Sequence, residues 1–304
     1  MTEPMVITHS EIHMFLTCRR KWEYYSLQDY SKPEKFDGPL ALGSRVHAAL
    51  EQFYRDGVDP VEVHDTLALQ AVKDAEASGL SFFDQLYDDI VVGRNCVKAH
   101  QQWLEDTGAD SNFEVAMVEE KLEAPILDGR AILRGKVDMM FREIDTGFLI
   151  LNDLKTTSVW QGGLREILER SYQHHVYLAL ANVVSPDKNI NGATYTVIKK
   201  VKNLSKVSGP LVERFRVPAT RRAADEKLRQ IEAIATEMLR ARDEFMERGA
   251  TRLTYPSPQM ECRWCEYKHP CELADESPRA AYDMLAREYV KGIRYARYEE
   301  AANE

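Results

Sequence analysis

Residues 131–155 contain two apolar runs with the character of β-strands. In the first run, apolar residues alternate with polar or opposite-facing neighbours, as a strand requires. The second run, 148–151, is continuously apolar, which is typical of a strand buried on both faces. A turn at Asp145-Thr146-Gly147 separates them, so the pattern predicts a hairpin. The alternating positions are Val137, Met139 and Phe141.

Other segments repeat apolar residues at the spacing of amphipathic helices. One begins at Ser10, a residue type favoured at N-caps, and another at Asp59, where a proline follows at the first helical position. Helices are predicted at 10–29, 40–57, 59–78, 84–106, 164–184, 220–248 and 277–299. Further strands are predicted at 113–126, 192–199 and 211–217.

Central strands between helical segments predict an α/β fold in which helices flank a mixed sheet. The chain of 304 residues is long enough for one large domain with a sizeable core, and we expect a single domain over 1–304. Its expected sub-regions are N-terminal helices (1–58), a helical insertion (59–108), the core (109–218) and C-terminal helices with clustered cysteines (219–304).

Composition and charge narrow the class of protein. Hydrophobic residues make up 44% and charged residues 29%, as in globular proteins, and no apolar run approaches the roughly 20 residues that span a bilayer. The first residues lack the basic start and apolar stretch of a secretory signal, so a cytoplasmic protein is expected. The net charge of −9 argues against coating nucleic acid by bulk charge, although a local basic groove remains compatible with it.

The predicted hairpin carries three charged residues that could share one place. Asp138 lies in its first strand and Asp153 ends its second, while Lys155 falls on the same face as Asp153. Two carboxylates and an ammonium suit a hard divalent metal, a phosphate and an activated water. The preceding strand adds carboxylates that we expect to be solvated, with an approach to the metal as the alternative: Glu119, Glu120 and Glu123.

This constellation resembles the core of the PD-(D/E)xK nucleases. Asp138, followed by Asp153-Leu154-Lys155, is similar to the family's carboxylate and D-x-K positions. The segment from Gly135 to Asp138 resembles the G-x-x-D that opens the core of RecB-type nucleases. A D-x-K recurs by chance in many proteins, so the resemblance depends on the further motifs that follow along the chain.

Two helical motifs extend the resemblance. G-x-x-x-H, from Gly43 to His47, is similar to a family motif whose histidine binds the metal, and the small glycine would let the backbone approach closely. Gln173 and Tyr177 lie four residues apart on one helix face and resemble the family's Q-x-x-x-Y, which contacts substrate and braces the active site. Taken alone, His47 is more typical of a packed core histidine, and the Gln–Tyr pair is more typical of an interfacial polar pair on an amphipathic helix.

The cysteines give the most specific signal. Cys262, Cys265 and Cys271 follow a C-x2-C-x5-C spacing, which lets three thiolates converge, and Cys18 is the candidate for a distant fourth ligand. This pattern resembles the 4Fe–4S site of RecB-like nucleases, including the AddB type and the CRISPR-associated exonucleases. A structural zinc is the alternative, because His269 permits a mixed Cys/His site. Cys96 is expected to be a structural thiol.

The resemblance implies a DNA exonuclease that uses Mg²⁺ or Mn²⁺ and degrades single-stranded ends, with 5′ to 3′ polarity in the CRISPR-associated branch. It implies a metal held by His47, Asp138, Asp153 and the Leu154 carbonyl, with Lys155 orienting the attacking water. Gln173 and Tyr177 would position the strand. Aromatic residues near basic ones could stack on unpaired bases, although each is more typical of a core residue: Trp22, Trp160, Tyr172 and Trp264.

The sequence leaves the biological setting open. No G-x-x-x-x-G-K-[ST] occurs, so the chain carries no helicase motor signature of its own. A phage setting and a CRISPR-adaptation setting both fit, with recombination or adaptation proteins as partners and a homo-oligomer as one arrangement. The alternative from another class is a non-catalytic iron–sulfur DNA-binding subunit, and a third is a zinc-containing binding protein with an incidental D-x-K.

Overall fold

A computed structural model describes residues 3–33, 36–79, 83–158, 163–184, 190–217 and 221–292. The chain divides into two compact units. The first comprises Met1–Glu34, Glu123–Gly135 and Glu226–Glu304, and the second comprises Lys35–Leu122 and Lys136–Asp225. The single nuclease domain and its four sub-regions stay a prediction.

Helices and a mixed sheet make up the described chain, as expected for an α/β fold. The strands are β1 (Met5–Thr8), β2 (Phe113–Ile126), β3 (Ala131–Glu143), β4 (Leu149–Thr157), β5 (Ile190–Lys199) and β6 (Val212–Val217). The helices are α1 (His9–Thr17), α2 (Arg19–Trp22), α3 (Gly38–Asp56), α4 (Pro60–Ala77), α5 (Asp84–Thr107), α6 (Leu164–Arg170), α7 (Tyr172–Val184), α8 (Arg221–Arg248), α9 (Lys268–Ala274) and α10 (Pro278–Glu288).

In the second unit the sheet order is β3-β4-β5-β6. β3 and β4 form the predicted antiparallel hairpin, β5 runs parallel to β4, and β6 runs antiparallel to β5. The hairpin turn contains Gly147 at φ 70°, a left-handed conformation that glycine adopts without steric cost. β2 also pairs with β3.

Helices cover both faces of this sheet. One face packs against α3 and α5 through Ile198 of β5 together with Phe141 and Leu154 of the hairpin. The other face packs against α6 through Val197, the neighbour of Ile198, because successive strand residues point to opposite faces. Because both faces are covered, β4 and β5 are buried at most of their positions.

In the first unit, β1 runs parallel to the beginning of β3, with Met5 opposite Ala131. An aromatic core lies near its C-terminal helices. The core residues are Tyr24, Tyr30, Tyr267, Leu285 and Tyr289, and the partly buried Cys265 and Cys271 pack against them. No helix of the described residues is both long enough and apolar enough to cross a membrane.

The N-terminal helix predicted over 10–29 is wrong in detail. It begins at His9, and its N-cap is Thr8 rather than Ser10, because Thr8 and Glu11 form a capping box. It breaks at Cys18, whose backbone is extended (φ −154°, ψ 108°), and the chain continues through α2 into a π-helical turn at Glu23–Leu27. Cys18 therefore lies between two helices.

Two further helices also differ from their predicted extents. The helix predicted over 164–184 is interrupted at Ser171, where the backbone leaves the helical region between α6 and α7. The helix predicted over 277–299 begins as expected at Ser277, whose hydroxyl caps it, but ends at Glu288. Residues 293–299 of that prediction lie outside the described residues.

Candidate metal and nuclease site

The hairpin places its two aspartates next to each other in register. The paired segment ends with Met139 opposite Asn152, and Asp138 and Asp153 are the next residues on each strand. The backbone N–H of Leu154 donates a 2.8 Å hydrogen bond to Asp138 Oδ2. Asp138 is therefore fixed by the backbone of the strand that carries Asp153. The Leu154 contact in the structure is this N–H hydrogen bond. The role of its carbonyl as a metal ligand stays a prediction.

Three side chains form the one group among the described residues that has metal-ligand geometry. The ligand atoms of His47, Glu119 and Asp138 all lie within 4.8 Å of one another. His47 comes from α3, and its Nδ1 is 3.5 Å from Asp138 Oδ2. One imidazole and two carboxylates are ligand types that Mg²⁺ and Mn²⁺ accept. The donor set thus fits a divalent cation, with Asp153 beside it.

Glu119 was expected to be a solvated strand position, with an approach to the metal as the alternative, and the structure brings it next to His47 and Asp138. Its side chain is only 10% exposed. Its backbone has φ 54°, a left-handed conformation that is uncommon for a non-glycine residue and concentrates at functional sites. Burial along β2 alternates regularly only from Leu122 onward, and Glu119 lies in the irregular part before it. Glu120, in contrast, is exposed as expected.

Asp153 has contacts on both of its oxygens. Oδ2 forms an ion pair with Lys155, two residues along the same strand. Oδ1 accepts a 2.7 Å hydrogen bond from Gln173 Nε2, and the same nitrogen lies 3.2 Å from the Tyr177 hydroxyl. Gln173, in the first turn of α7, therefore contacts the D-x-K motif directly, and Tyr177 contacts Gln173.

Burial and charge shift the pKa values of these groups. Burial, with the charge of Asp138 close by, raises the pKa of Asp153 to about 6, although Lys155 opposes the shift. Burial raises the pKa of Glu119 to about 7, reinforced by Asp138 and opposed by Lys136. Burial also acts on His47 and Asp138, but their mutual attraction prevails, so the pKa of His47 is raised and that of Asp138 is lowered.

The glycine of the G-x-x-x-H motif has a smaller role than expected. A Cβ built at Gly43 would lie 3.6 Å from Thr156 Oγ1, which is an ordinary van der Waals contact. The helix therefore passes close to β4, but the described residues present no clash that requires glycine at this position.

The candidate iron–sulfur ligands all belong to the first unit. Gln259 Nε2 donates to the carbonyl of Thr17, which brings the loop before Cys262 next to the residue that precedes Cys18. Arg20 Nη1 lies 3.8 Å from Cys271 Sγ. Among the described residues, no three cysteine sulfurs lie within 4.8 Å of one another, so the cysteines form no compact group around a single metal position. Tetrahedral zinc would hold such sulfurs about 3.8 Å apart.

Cys96 and the tryptophans that were considered for base stacking differ in burial. Cys96 is buried, and burial raises the pKa of its thiol to about 12, which is consistent with a structural role. Trp22 is fully buried, which agrees with the core position expected for it and leaves it unable to stack on bases. Trp264 is 69% exposed. Trp160 lies outside the described residues.

Comparisons with known proteins address the family. The sequence profile of the PD-(D/E)XK nuclease superfamily matches residues 6–272. A search of curated proteins finds no match.

Twenty-nine chains of solved structures match. A structure from Eubacterium rectale described as a candidate exonuclease has a TM-score of 0.50 and 12% identity, covering 90% of this chain and 93% of that chain. A protein designated SSO0001 gives a TM-score of 0.39 and 15% identity, covering 90% and 88%.

Proposed function

Because the chain belongs to the PD-(D/E)XK nuclease superfamily, we propose that it is a metal-dependent deoxyribonuclease that hydrolyses phosphodiester bonds. One observation carries the proposal: the ligand atoms of His47, Glu119 and Asp138 converge, and Leu154 joins Asp138 to the strand that bears Asp153 and Lys155. The enzyme would be an exonuclease that acts on single-stranded ends. The description of the Eubacterium rectale structure as a candidate exonuclease supports this activity.

The metal would be Mg²⁺ or Mn²⁺, held by His47, Glu119 and Asp138, with Asp153 and the Leu154 carbonyl completing the set. When bound, such an ion supplies positive charge that lowers the pKa of water and offsets the charge of the phosphate. The raised pKa of Glu119 fits this assignment, because burial disfavours the charged form of the carboxylate and a bound divalent cation would favour it.

Lys155 would act on the nucleophile. Its ammonium lies on the Asp153 carboxylate, so it is held at the edge of the metal group rather than in bulk solvent. From there it can donate a hydrogen bond to the attacking water and stabilise the negative charge that develops when that water loses its proton.

Gln173 and Tyr177 would hold Asp153 in place. Gln173 Nε2 donates to Asp153 Oδ1, which leaves the orientation of the carboxylate fixed by a hydrogen bond from α7 on one side and by Lys155 on the other. Residues that orient ligands in this way typically affect metal affinity or activity by 10–100-fold. Both side chains would also contact the DNA strand.

We further propose that Cys18, Cys262, Cys265 and Cys271 hold a 4Fe–4S cluster. The resemblance of their spacing supports this, as do the contacts that bring the Cys262 loop to Thr17 and Arg20 to Cys271. The cluster would join residues that are distant in sequence and would be structural. Iron and acid-labile sulfide analysis after anaerobic purification tests it, and stoichiometric zinc without iron would favour the zinc alternative.

The resemblance to the CRISPR-associated exonucleases also supports a direction of cleavage and a biological setting. Cleavage would proceed 5′ to 3′, on cytoplasmic DNA, in a recombination, phage or CRISPR-adaptation context with partner proteins of those systems. The exposed Trp264 offers a surface on which an unpaired base could stack.

The test uses single-stranded DNA labelled at either the 5′ or the 3′ end, in linear and circular forms, with Mn²⁺ or Mg²⁺. Release of short products from linear DNA alone, abolished by chelator, supports an exonuclease, and the label released first gives the polarity. Cleavage of circles would make the protein an endonuclease. No cleavage by folded, cluster-loaded protein would favour the non-catalytic subunit.

A further inference from the structure

Lys136 contacts Glu119, one of the three candidate metal ligands, but the proposed catalytic mechanism gives Lys136 no role. Its Nζ lies 2.6 Å from Glu119 Oε2, and the two side chains are 25% and 10% exposed. Lys136 precedes Asp138 by two residues on β3, so both side chains leave the strand on the same face. The carboxylate that completes the group with His47 and Asp138 is therefore already paired with an ammonium from the chain itself.

The site thus contains two lysine–carboxylate pairs rather than one. Lys155 pairs with Asp153, and it is the lysine of the D-x-K motif. Lys136 falls on an unspecified position of the G-x-x-D pattern, so the family motif assigns it nothing. Its placement against Glu119, whose own backbone is left-handed, is a feature of this chain's site.

We propose that Lys136 is a positioning residue that competes with the divalent cation for Glu119 and thereby weakens metal binding. The inference rests on the proposed function, because it takes His47, Glu119 and Asp138 as the metal site. A carboxylate that is paired with an ammonium attracts a metal ion less strongly. The ammonium and the metal ion also repel each other when both lie next to the same carboxylate. Binding of the metal must overcome both effects.

The same pair has a second consequence for the metal-free protein. Asp138, Asp153 and Glu119 crowd three carboxylates into one largely buried region, and Lys136 offsets the charge of one of them. Removing the ammonium should therefore destabilise the metal-free protein and strengthen metal binding. A residue with a purely structural role would give a different result, because its loss would weaken the fold and the metal site together.

The test is a titration of Mn²⁺ against the metal-free protein at about pH 8, where proton competition for the carboxylates is small. Lys136→Met should bind Mn²⁺ roughly tenfold more tightly than wild type, and Lys136→Arg, which keeps the charge, should stay near wild type. Thermal unfolding should show a lower midpoint for metal-free Lys136→Met and a larger increase on adding Mn²⁺.

Two further variants make the titration specific. Lys202→Met removes an ion pair of the same length, 2.6 Å to Asp88, outside the metal group, and should leave Mn²⁺ affinity unchanged. Lys136→Met should not increase Mn²⁺ affinity when Glu119 is already replaced by Gln, because Lys136 and the metal ion compete for the Glu119 carboxylate.

The outcomes separate this inference from the proposed function. Equal or weaker Mn²⁺ binding by folded Lys136→Met overturns the competition while leaving the metal site intact. Absence of Mn²⁺ binding by the wild-type protein overturns the metal site itself and the competition with it.

Discussion

Gln173 reaches Asp153 with a 2.7 Å hydrogen bond although 20 residues separate them in sequence. The bond joins the start of α7 to the end of β4, and Tyr177 contacts the same amide nitrogen from the next helical turn. On a helix whose buried residues are mostly apolar, Gln173 thus orients a carboxylate of the candidate site, and Tyr177 contacts Gln173.

Replacing Gln173 by Ala should therefore lower nuclease activity by about 10–100-fold, because Asp153 loses the donor that orients it. Steady-state cleavage of linear single-stranded DNA measures the effect. Gln70→Ala is a matched control, since it removes an amide–carboxylate hydrogen bond of 2.7 Å to Asp74 on the exposed surface of α4. Equal activity of the two variants would contradict a bracing role for Gln173.

Glu119→Gln should reduce Mn²⁺ affinity by at least about tenfold, because an amide keeps the shape but supplies no charge to the cation. The neighbouring Glu120→Gln removes the same charge from an exposed side chain and should bind Mn²⁺ like wild type. Calorimetric titration of both variants separates a specific ligand from a general charge effect. Equal affinities would exclude Glu119 as a ligand.

Metal binding should strengthen as the pH rises. The pKa of Asp153 is raised to about 6 and that of Glu119 to about 7, so protons occupy these carboxylates below those values and must leave when a cation binds. Apparent Mn²⁺ affinity should increase steeply between about pH 5.5 and 7.5 and then level off. A pH-independent affinity over this range would show that neither group takes part.

Stability should depend on His100 in acid. His100 is fully buried, and burial lowers its pKa to about 4, so the folded state keeps it neutral while the unfolded state takes up a proton below about pH 6.5. The contribution of neutral His100 to the free energy of unfolding, about 3 kcal/mol, is complete above pH 6.5 and is lost as the pH falls towards 4. Denaturant unfolding of His100→Gln should show a correspondingly flatter pH dependence; an unchanged slope would contradict this.

Cys18→Ser should yield protein with little iron and a lower melting temperature, because it removes a proposed cluster ligand. Cys96→Ser is the control: its thiol is buried in the second unit and lies 3.8 Å from the Lys199 carbonyl, so this variant should keep its iron. Iron content and visible absorbance distinguish them. Full iron content in Cys18→Ser would remove Cys18 from the ligand set.

Local periodicity was sufficient to predict the hairpin. The alternation of Val137, Met139 and Phe141 and the apolar run of β4 are consequences of strand geometry, and they place Asp138 and Asp153 side by side. The four-residue spacing of Gln173 and Tyr177 likewise follows from the helix. These features need no knowledge of distant parts of the chain.

Glu119 and Cys18 show what local patterns could not predict. Glu119 has a left-handed backbone in a part of β2 where burial does not alternate, so strand periodicity could not place its side chain beside His47. Cys18 lies in a sequence of good helical periodicity, yet the backbone is extended there and Arg20 N–H bonds to the carbonyl of Tyr255, far along the chain. At Cys18, the contact that accompanies the break comes from a distant part of the chain, which local periodicity does not contain.

The most direct measurement is the rate of DNA cleavage with Mn²⁺ by wild type, Asp153→Asn and Asp145→Asn. Asp145 is exposed in the hairpin turn, so its substitution removes the same charge from the same hairpin without touching the site. Wild type and Asp145→Asn should degrade DNA at similar rates, and folded Asp153→Asn should lose at least about 99% of the activity. Comparable rates for all three proteins would contradict the assignment of the active site.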